Sequence, residues 1–157
     1  MQKLIIKGKR ELIGKISISG SKNATLPILA ASILAHKVKL RNIPSVKDIF
    51  TMIELLNFIG LDTKFLKNKN TLEIKNNKKN INTLAPYKLV KTMRAGVLVL
   101  GPLLTKYGKA KVSLPGGCAI GSRPVDLHLF ALKKLGAKIK IKNGYILAEA
   151  KSGLQGA

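Results

Sequence analysis

The sequence of 157 residues is 46% hydrophobic, which is enough apolar material for the core of one ordinary domain and excludes general disorder. Its 29 basic and 7 acidic residues give a formal net charge of +22, which suits an anionic partner, yet most of the excess is Lys interleaved with Asn, as in solvated loops. Aromatic residues make up only 4%, which provides few stacking platforms for single strands and disfavours nucleic acid as a partner.

Neither a membrane span nor a signal peptide is indicated. The longest nearly unbroken apolar run, Leu26 to Ala35, has about half of the roughly 20 residues that a membrane-spanning helix needs. The stretch before Lys7 is too short for the apolar region of a signal peptide. These features predict a soluble, cytoplasmic protein.

The first predicted elements are a short strand and two amphipathic helices. The strand covers residues 16–20 and ends in a glycine turn, and the first helix begins near Ala24. Gly60 suits the left-handed position just after the second helix. Both helices show the i, i+3, i+4, i+7 spacing of one buried face, with Leu26, Leu29, Ala30 and Ile33 in the first and Ile49, Met52, Ile53 and Leu56 in the second.

The second half of the chain predicts a third helix, a further helix end and a hairpin. The third helix spans about Tyr87 to Lys106, and its inner stripe consists of Leu89, Met93, Val97 and Leu100. Gly136 ends the next helix, residues 138–141 alternate as in a strand, and Asn143-Gly144 is a strong hairpin signal.

Two pairs of segments repeat similar patterns. Residues 16–20 parallel 112–116, as a strand followed by a glycine turn and a helix, and residues 55–65 parallel 131–141, as a helix that ends at a glycine before a strand. Repeated helices and half-exposed strands predict an α/β (α+β) domain of duplicated units.

Two basic residues lie where an anion could be bound. Lys22 follows Ser19-Gly20-Ser21 at a helix start, where unpaired N–H groups favour phosphate or carboxylate, although a solvated surface lysine fits the same pattern. Arg94 lies beside the inner stripe of the third helix, where it could bind a diphosphate or extend to solvent.

The single cysteine, Cys118, excludes an internal disulfide and leaves a core thiol, a surface thiol or a reactive group as alternatives. Three surrounding glycines favour an exposed loop, and Arg123 and a helix start marked by Pro124 favour a thiolate. Asp126 has the alternative role of compensating the helix dipole. His36 and His128 show no metal-ligand spacing and are interpreted as surface or structural residues. The three basic residues Lys22, Arg94 and Arg123, the loop thiol and the two helix starts together fit a site for phosphorylated substrates.

The motifs resemble those of the enolpyruvyl transferases that act on UDP-N-acetylglucosamine. The resemblance is carried by residues 19–24, 26–31, 85–87, 91–95 and 100–104, and most specifically by the run Pro-Gly-Gly-Cys-x-Ile-Gly-x-Arg-Pro-Val-Asp-Leu-His at 115–128. It extends over essentially the whole chain. The related shikimate-pathway enzyme of the same fold lacks this cysteine loop.

The resemblance implies an inside-out α/β barrel fold of two similar globules, with the active site in the cleft between them. It implies transfer of the enolpyruvyl group of phosphoenolpyruvate to the 3-hydroxyl of UDP-N-acetylglucosamine, with release of phosphate, in peptidoglycan synthesis and without a metal or cofactor. Lys22 and Asn23 would contact phosphoenolpyruvate. Cys118 would be the catalytic proton donor and the target of fosfomycin. The sugar nucleotide would be bound by Arg94, Arg123, Pro124, Val125, Asp126 and Leu127.

Two departures accompany the resemblance. Gly96 stands where the family usually has Ser, and a glycine there costs helix stability and loosens the placement of Arg94. The family's chains are also much longer, so residues 1–21 are expected to belong to the second globule and residues 22–157 to form an incomplete first globule. A complementary C-terminal fragment is then a candidate partner, and this chain alone is expected to be inactive. The alternatives are a sugar-nucleotide or nucleic-acid binding module and a decayed gene product.

Overall fold

The computed structural model describes residues 3–9, 11–77, 81–116 and 125–156. The helices in these ranges are α1 (Lys22–Ala31), α2 (Lys47–Ile59), α3 (Tyr87–Val90), α4 (Leu100–Tyr107) and α5 (Asp126–Lys134). The strands are β1 (Lys37–Leu40), β2 (Asp62–Leu66), β3 (Thr71–Lys75), β4 (Leu84–Ala85), β5 (Lys109–Ser113), β6 (Lys138–Lys142) and β7 (Tyr145–Glu149). Short 3-10 segments cover Ser32–Leu34, Lys67–Lys69 and Arg94–Val99. Among the described helices, none is long and apolar enough to cross a bilayer.

The two sheets share one arrangement of three strands, to which the second sheet adds a fourth. The first has the order β1-β3-β2, and the second has the order β4-β5-β7-β6, in which β4 is a parallel edge strand beside β5. In the first sheet β1 and β2 both pair antiparallel with β3, and in the second sheet β5 and β6 both pair antiparallel with β7. The chain runs α1-β1-α2-β2-β3 and later α4-β5-α5-β6-β7. The structure therefore contains a duplicated α/β unit, as the similarity of residues 55–65 and 131–141 predicted.

Glycines and an asparagine in left-handed conformations end the helices and close the hairpin. Gly60 follows α2 with φ 118°, and Gly136 follows α5 with φ 90°. Asn143 and Gly144, with φ 51° and 74°, join β6 to β7, whose residues pair directly on either side of the turn. Positive φ at both central positions is the requirement of a tight hairpin turn. The predicted helix ends and hairpin are confirmed.

We expect Gly144→Ala to lower the free energy of unfolding by about 1 kcal/mol, because a residue with a Cβ is strained at positive φ. A Cβ at Gly144 meets nothing within 4 Å, so the cost is conformational. Gly101→Ala in α4 is the matched control, since its Cβ also enters open space but on a helical backbone, and we expect a gain of about 0.5 kcal/mol. Urea denaturation of both variants measures the difference, and equal effects would contradict the assignment of the turn.

Both predicted helix faces are buried in the core. The exposed fraction is 9% or less for every member of the two faces: Leu26, Leu29, Ala30, Ile33, Ile49, Met52, Ile53 and Leu56. Ile33 lies in the 3-10 segment that extends α1. Because α1 and α2 pack their apolar faces into one core, the starts of both helices are fixed relative to each other.

The prediction of one continuous helix from Tyr87 to Lys106 is wrong. The chain forms α3, turns, is extended at Met93 (φ −134°, ψ 98°), and then forms the 3-10 segment and α4. Pro102 lacks an N–H and would disrupt a helix interior, but it lies in the first turn of α4, where that N–H has no helical partner. Of the predicted inner stripe, Met93, Val97 and Leu100 are buried and Leu89 is half-buried.

The predicted strand over residues 16–20 is also wrong. Among the described residues before Lys22 there is no helix or strand, and the side chains of Ile16 and Ile18 are 85% and 75% exposed. A strand requires a neighbour to pair with, and the hydrogen bond here comes from a side chain, Asn42 Nδ2, to the carbonyl of Ile18 at 3.4 Å. Residues 16–20 and 112–116 are therefore not equivalent, because the counterpart of β5 is β1.

Candidate functional site

A cleft of about 440 Å³ opens at the starts of α1, α2 and α5. Its lining residues are Lys22, Asn23 and Leu26 of α1, Asp48 of α2, Val125 and His128 at the start of α5, and Thr92, Met93, Arg94, Ala95, Val97 and Leu98 of the segment between α3 and α4. The chain is extended at Met93, and Arg94, the next residue, lines the same cleft as the start of α1.

Ser21 caps α1 and places Lys22 at its first position. The Ser21 Oγ accepts a hydrogen bond from the N–H of Ala24 at 3.3 Å, and the Ser21 carbonyl accepts one from the N–H of Thr25 at 3.0 Å. The helix therefore begins slightly before the predicted start near Ala24. The first N–H groups of a helix lack carbonyl partners within it, and they carry partial positive charge, which favours anions near Lys22 and Asn23.

Gly20 determines how the chain enters α1. A Cβ built at Gly20 would overlap the carbonyl oxygen of Asn42 and lie 3.2 Å from Cδ of Pro44. Because a larger residue has no room there without a backbone shift, the glycine of the Ser19-Gly20-Ser21 motif has a steric explanation. This close approach fixes the backbone immediately before Lys22.

The 3-10 segment that extends α1 at its opposite end is held by side chains from later in the chain. Lys106 Nζ donates hydrogen bonds to the carbonyls of Ile33 at 2.9 Å and Leu34 at 3.1 Å, and Asn76 Nδ2 donates to the carbonyl of Ile33 at 2.9 Å. A cation near carbonyls at the end of a helix is favourable because those groups carry partial negative charge. The element that carries Lys22 is therefore fixed at both ends.

The cleft contains an ion pair and a second cation. Lys22 Nζ lies 2.9 Å from Oδ2 of Asp48, with side-chain exposures of 47% and 34%. A pair this exposed stabilises the fold by less than about 1 kcal/mol. Arg94 is half-buried, begins the 3-10 segment and lines the cleft, and a guanidinium can bind a carboxylate or phosphate through two parallel N–H donors. The described lining thus has two cations against one carboxylate, a balance that favours an anionic ligand.

Gly96 also lies in this 3-10 segment rather than in a continuous α-helix. Its position is buried, and a Cβ there would lie 3.2 Å from Cγ2 of Val90. A serine would therefore require Val90 to shift. Gly96 allows the segment that carries Arg94 to pack closely against α3.

The structure brings together Lys22, Asn23, Arg94 and Val125, all of them residues singled out in the sequence. Asp126 and Leu127 lie in the first turn of α5 and are exposed, but they are not part of the cleft lining. The predicted residues Cys118, Arg123 and Pro124 lie outside the described residues.

Sequence reasoning missed Asp48 and the position of His128. Asp48 lies in the first turn of α2, a place where acidic residues are common for the sake of the helix dipole alone, so no pattern distinguished it. His128 is exposed, as a surface residue should be, and it also lines the cleft. His36 is exposed outside the cleft. The described ranges contain no cluster of His, Cys, Asp or Glu suited to a metal ion.

The family model described as EPSP synthase (3-phosphoshikimate 1-carboxyvinyltransferase) matches residues 6–157. Curated relatives named UDP-N-acetylglucosamine 1-carboxyvinyltransferase include one from Pelagibacter ubique, 61% identical over 100% of this chain and 37% of its own length. Another, from Rickettsia felis, is 55% identical over 99% of this chain and 38% of its own length. The chain thus spans well under half the length of these relatives.

Solved structures of similar fold include the enolpyruvyl transferase NikO from Streptomyces tendae. It has a TM-score of 0.73 at 19% identity and covers 87% of this chain and 29% of its own. EPSP synthase from Acinetobacter baumannii has a TM-score of 0.68 at 17% identity, with coverage of 92% and 33%. These two likenesses establish that the chain has part of the fold seen in both structures.

Proposed function

The chain belongs to the EPSP synthase (3-phosphoshikimate 1-carboxyvinyltransferase) family, and from this premise we propose that it is the N-terminal part of a UDP-N-acetylglucosamine 1-carboxyvinyltransferase. Relatives of that name are 55% and 61% identical to it over nearly the whole chain. The observation that carries the proposal is the convergence of Lys22, Asn23 and Arg94 on one cleft. The complete protein moves the enolpyruvyl group of phosphoenolpyruvate to the 3-hydroxyl of UDP-N-acetylglucosamine and releases phosphate.

Both proposed substrates are anionic, so the protein must gather them with cations before any chemistry occurs. Lys22 provides a charge-assisted hydrogen bond to the phosphate of phosphoenolpyruvate at the start of α1, and Asn23 adds amide contacts. Arg94 pairs with the diphosphate of the sugar nucleotide through two parallel N–H donors. What supports these roles is the shared cleft and its excess of positive charge.

The remaining site residues are proposed from the resemblance of the 115–128 run. Cys118 donates the proton to the enol carbon and is the target of fosfomycin. Arg123 and Pro124, together with Val125, Asp126 and Leu127 at the start of α5, bind the sugar nucleotide. Val125 in the cleft lining supports this assignment.

Residues 1–21 are proposed to belong to a second globule, supplied by a complementary C-terminal segment, and residues 22–157 to part of the first. The support is a set of large aliphatic side chains with exposures of 75–95%: Leu4, Ile5, Ile6, Leu12, Ile13, Ile16 and Ile18. So many exposed aliphatic side chains in one short segment are unfavourable in water and are typical of an interaction surface. The proposed place of action is the cytoplasm, where peptidoglycan precursors are made.

Titration of the purified chain with phosphoenolpyruvate and with UDP-N-acetylglucosamine, followed by NMR, tests the proposal. We expect shifts at Lys22, Asn23 and Arg94, but no phosphate release with both substrates present. Addition of the segment of the Pelagibacter ubique relative that this chain does not span is expected to restore phosphate release. That segment alone is the control.

Three outcomes would contradict parts of the proposal. Phosphate release by the isolated chain would show that it is a complete catalyst. Absence of binding by either substrate would remove the assigned site. Binding of single- or double-stranded nucleic acid that weakens steeply with salt, without sugar-nucleotide binding, would favour the basic binding module instead.

A further inference from the structure

Asp48 contacts the cation on which the proposed site depends. Its Oδ2 lies 2.9 Å from Nζ of Lys22, and the two residues lie at the starts of α2 and α1. The carboxylate is itself favoured in the first turn of α2 by the partial positive charge of the helix start. Asp48 is therefore a well-anchored acceptor, whereas the long Lys22 side chain is the adjustable member of the pair.

We propose that Asp48 is a positioning residue for Lys22 and the internal counter-ion that an anionic ligand must displace, an inference that rests on the proposed function. Asp48 has two opposing effects on ligand affinity. It orders the flexible lysine in the cleft, which favours binding, and it repels the ligand and competes for the ammonium, which opposes binding.

The charge of the ligand decides which effect is larger. At exposures of 47% and 34%, solvent weakens both effects, and holding the lysine in place contributes little. The repulsion acts on both charges of a phosphate dianion that would lie beside the same ammonium, and Coulomb energy scales with the product of the charges. Asp48 therefore lowers the affinity of the cleft for phosphate, the product of the proposed reaction.

In this arrangement a phosphate ion replaces Asp48 as the partner of Lys22, without any covalent change. When phosphate binds, Lys22 turns from Asp48 to the ligand, and when phosphate leaves, the ammonium returns to the carboxylate. Asp48 thus favours product release while it keeps Lys22 at the mouth of the cleft.

Asp48→Asn tests the inference, because it removes the negative charge and keeps the size of the side chain. We expect this chain with D48N to bind inorganic phosphate about three- to tenfold more tightly than wild type in an NMR titration. Glu54→Gln is the matched control, since it removes one negative charge from the exposed side of the same helix, outside the cleft. Its effect is expected to be less than twofold, and the thermal midpoints establish that both variants fold.

A second measurement reports the positioning role without a ligand. Acetic anhydride acylates the free amine form of lysine, to which a side chain held by a carboxylate has less access, and mass spectrometry measures the labelling of each lysine. We expect D48N to raise the labelling of Lys22 several-fold relative to exposed Lys88, and E54Q to leave the ratio unchanged.

Phosphate binding by D48N that is equal to or weaker than that of E54Q overturns the inference, as does unchanged labelling of Lys22. If no variant binds phosphate, the proposed anion site is wrong and the displacement step falls with it. In that case the labelling ratio still reports whether Asp48 holds Lys22. The two failures are therefore distinguishable.

Discussion

Lys22→Gln is expected to weaken the binding of inorganic phosphate and of phosphoenolpyruvate at least tenfold. The change removes the cation at the start of α1 and one charge-assisted hydrogen bond, which contributes about 1.5–3 kcal/mol. It also leaves Asp48 without its partner, so the carboxylate then repels the ligand unopposed. Isothermal titration calorimetry with each ligand measures the loss.

Lys88→Gln on α3 removes the same charge from an exposed position outside the cleft, and we expect a change of less than twofold. Equal losses in the two variants would mean that phosphate responds to the overall positive charge rather than to the cleft. Measuring phosphate binding by both variants at two salt concentrations separates the two causes. Salt reduces the effect of removing a distant charge, whereas the effect of removing a direct hydrogen bond persists.

Leu56→Ala is expected to lower the free energy of unfolding by about 2–5 kcal/mol. Leu56 has no exposed surface and lies on the face of α2 that packs into the core, so truncation leaves a cavity as well as losing apolar burial. Small domains are stabilised by only about 5–15 kcal/mol in total, so this change removes a large share. Urea denaturation followed by circular dichroism measures it.

Leu12→Ala is the matched control, because it makes the same chemical change at a side chain that is 95% exposed. We expect a shift of no more than about 0.5 kcal/mol. A loss at Leu12 comparable to that at Leu56 would show that the N-terminal segment is packed in this chain by itself. The proposal that the segment needs a second globule would then be wrong.

Local signals account for the parts of the fold that the sequence predicted. The faces of α1 and α2, the glycines at 60 and 136 and the Asn143-Gly144 turn each depend on a few neighbouring residues. The errors concern non-local effects. Residues 16–20 have the alternation of a strand but no strand to pair with among the described residues. The apolar spacing after Tyr87 continues across Met93, which is buried but has an extended backbone.

The site was predictable in residue types but not in arrangement. Lys22 and Arg94 could be singled out as helix-associated cations, yet nothing local indicated that one cleft would contain both. Asp48 was not predicted as a site residue because an acidic residue in the first turn of a helix is already explained by the helix dipole. The roles of Cys118, Arg123 and Pro124 remain predictions that derive from the cysteine-loop motif, since these residues lie outside the described part of the chain.

Contacts at both ends hold α1 in place, through Gly20 and Ser21 at its start and through Lys106 and Asn76 beyond its end. This anchoring lowers the entropic cost of ligand binding. A helix already immobilised loses little backbone freedom when its N-terminal end meets a ligand. The conformational entropy that the protein itself loses on association then comes mainly from the long side chains of Lys22 and Arg94. Ligand affinity therefore depends on those two side chains rather than on any folding of the helix that carries the first of them.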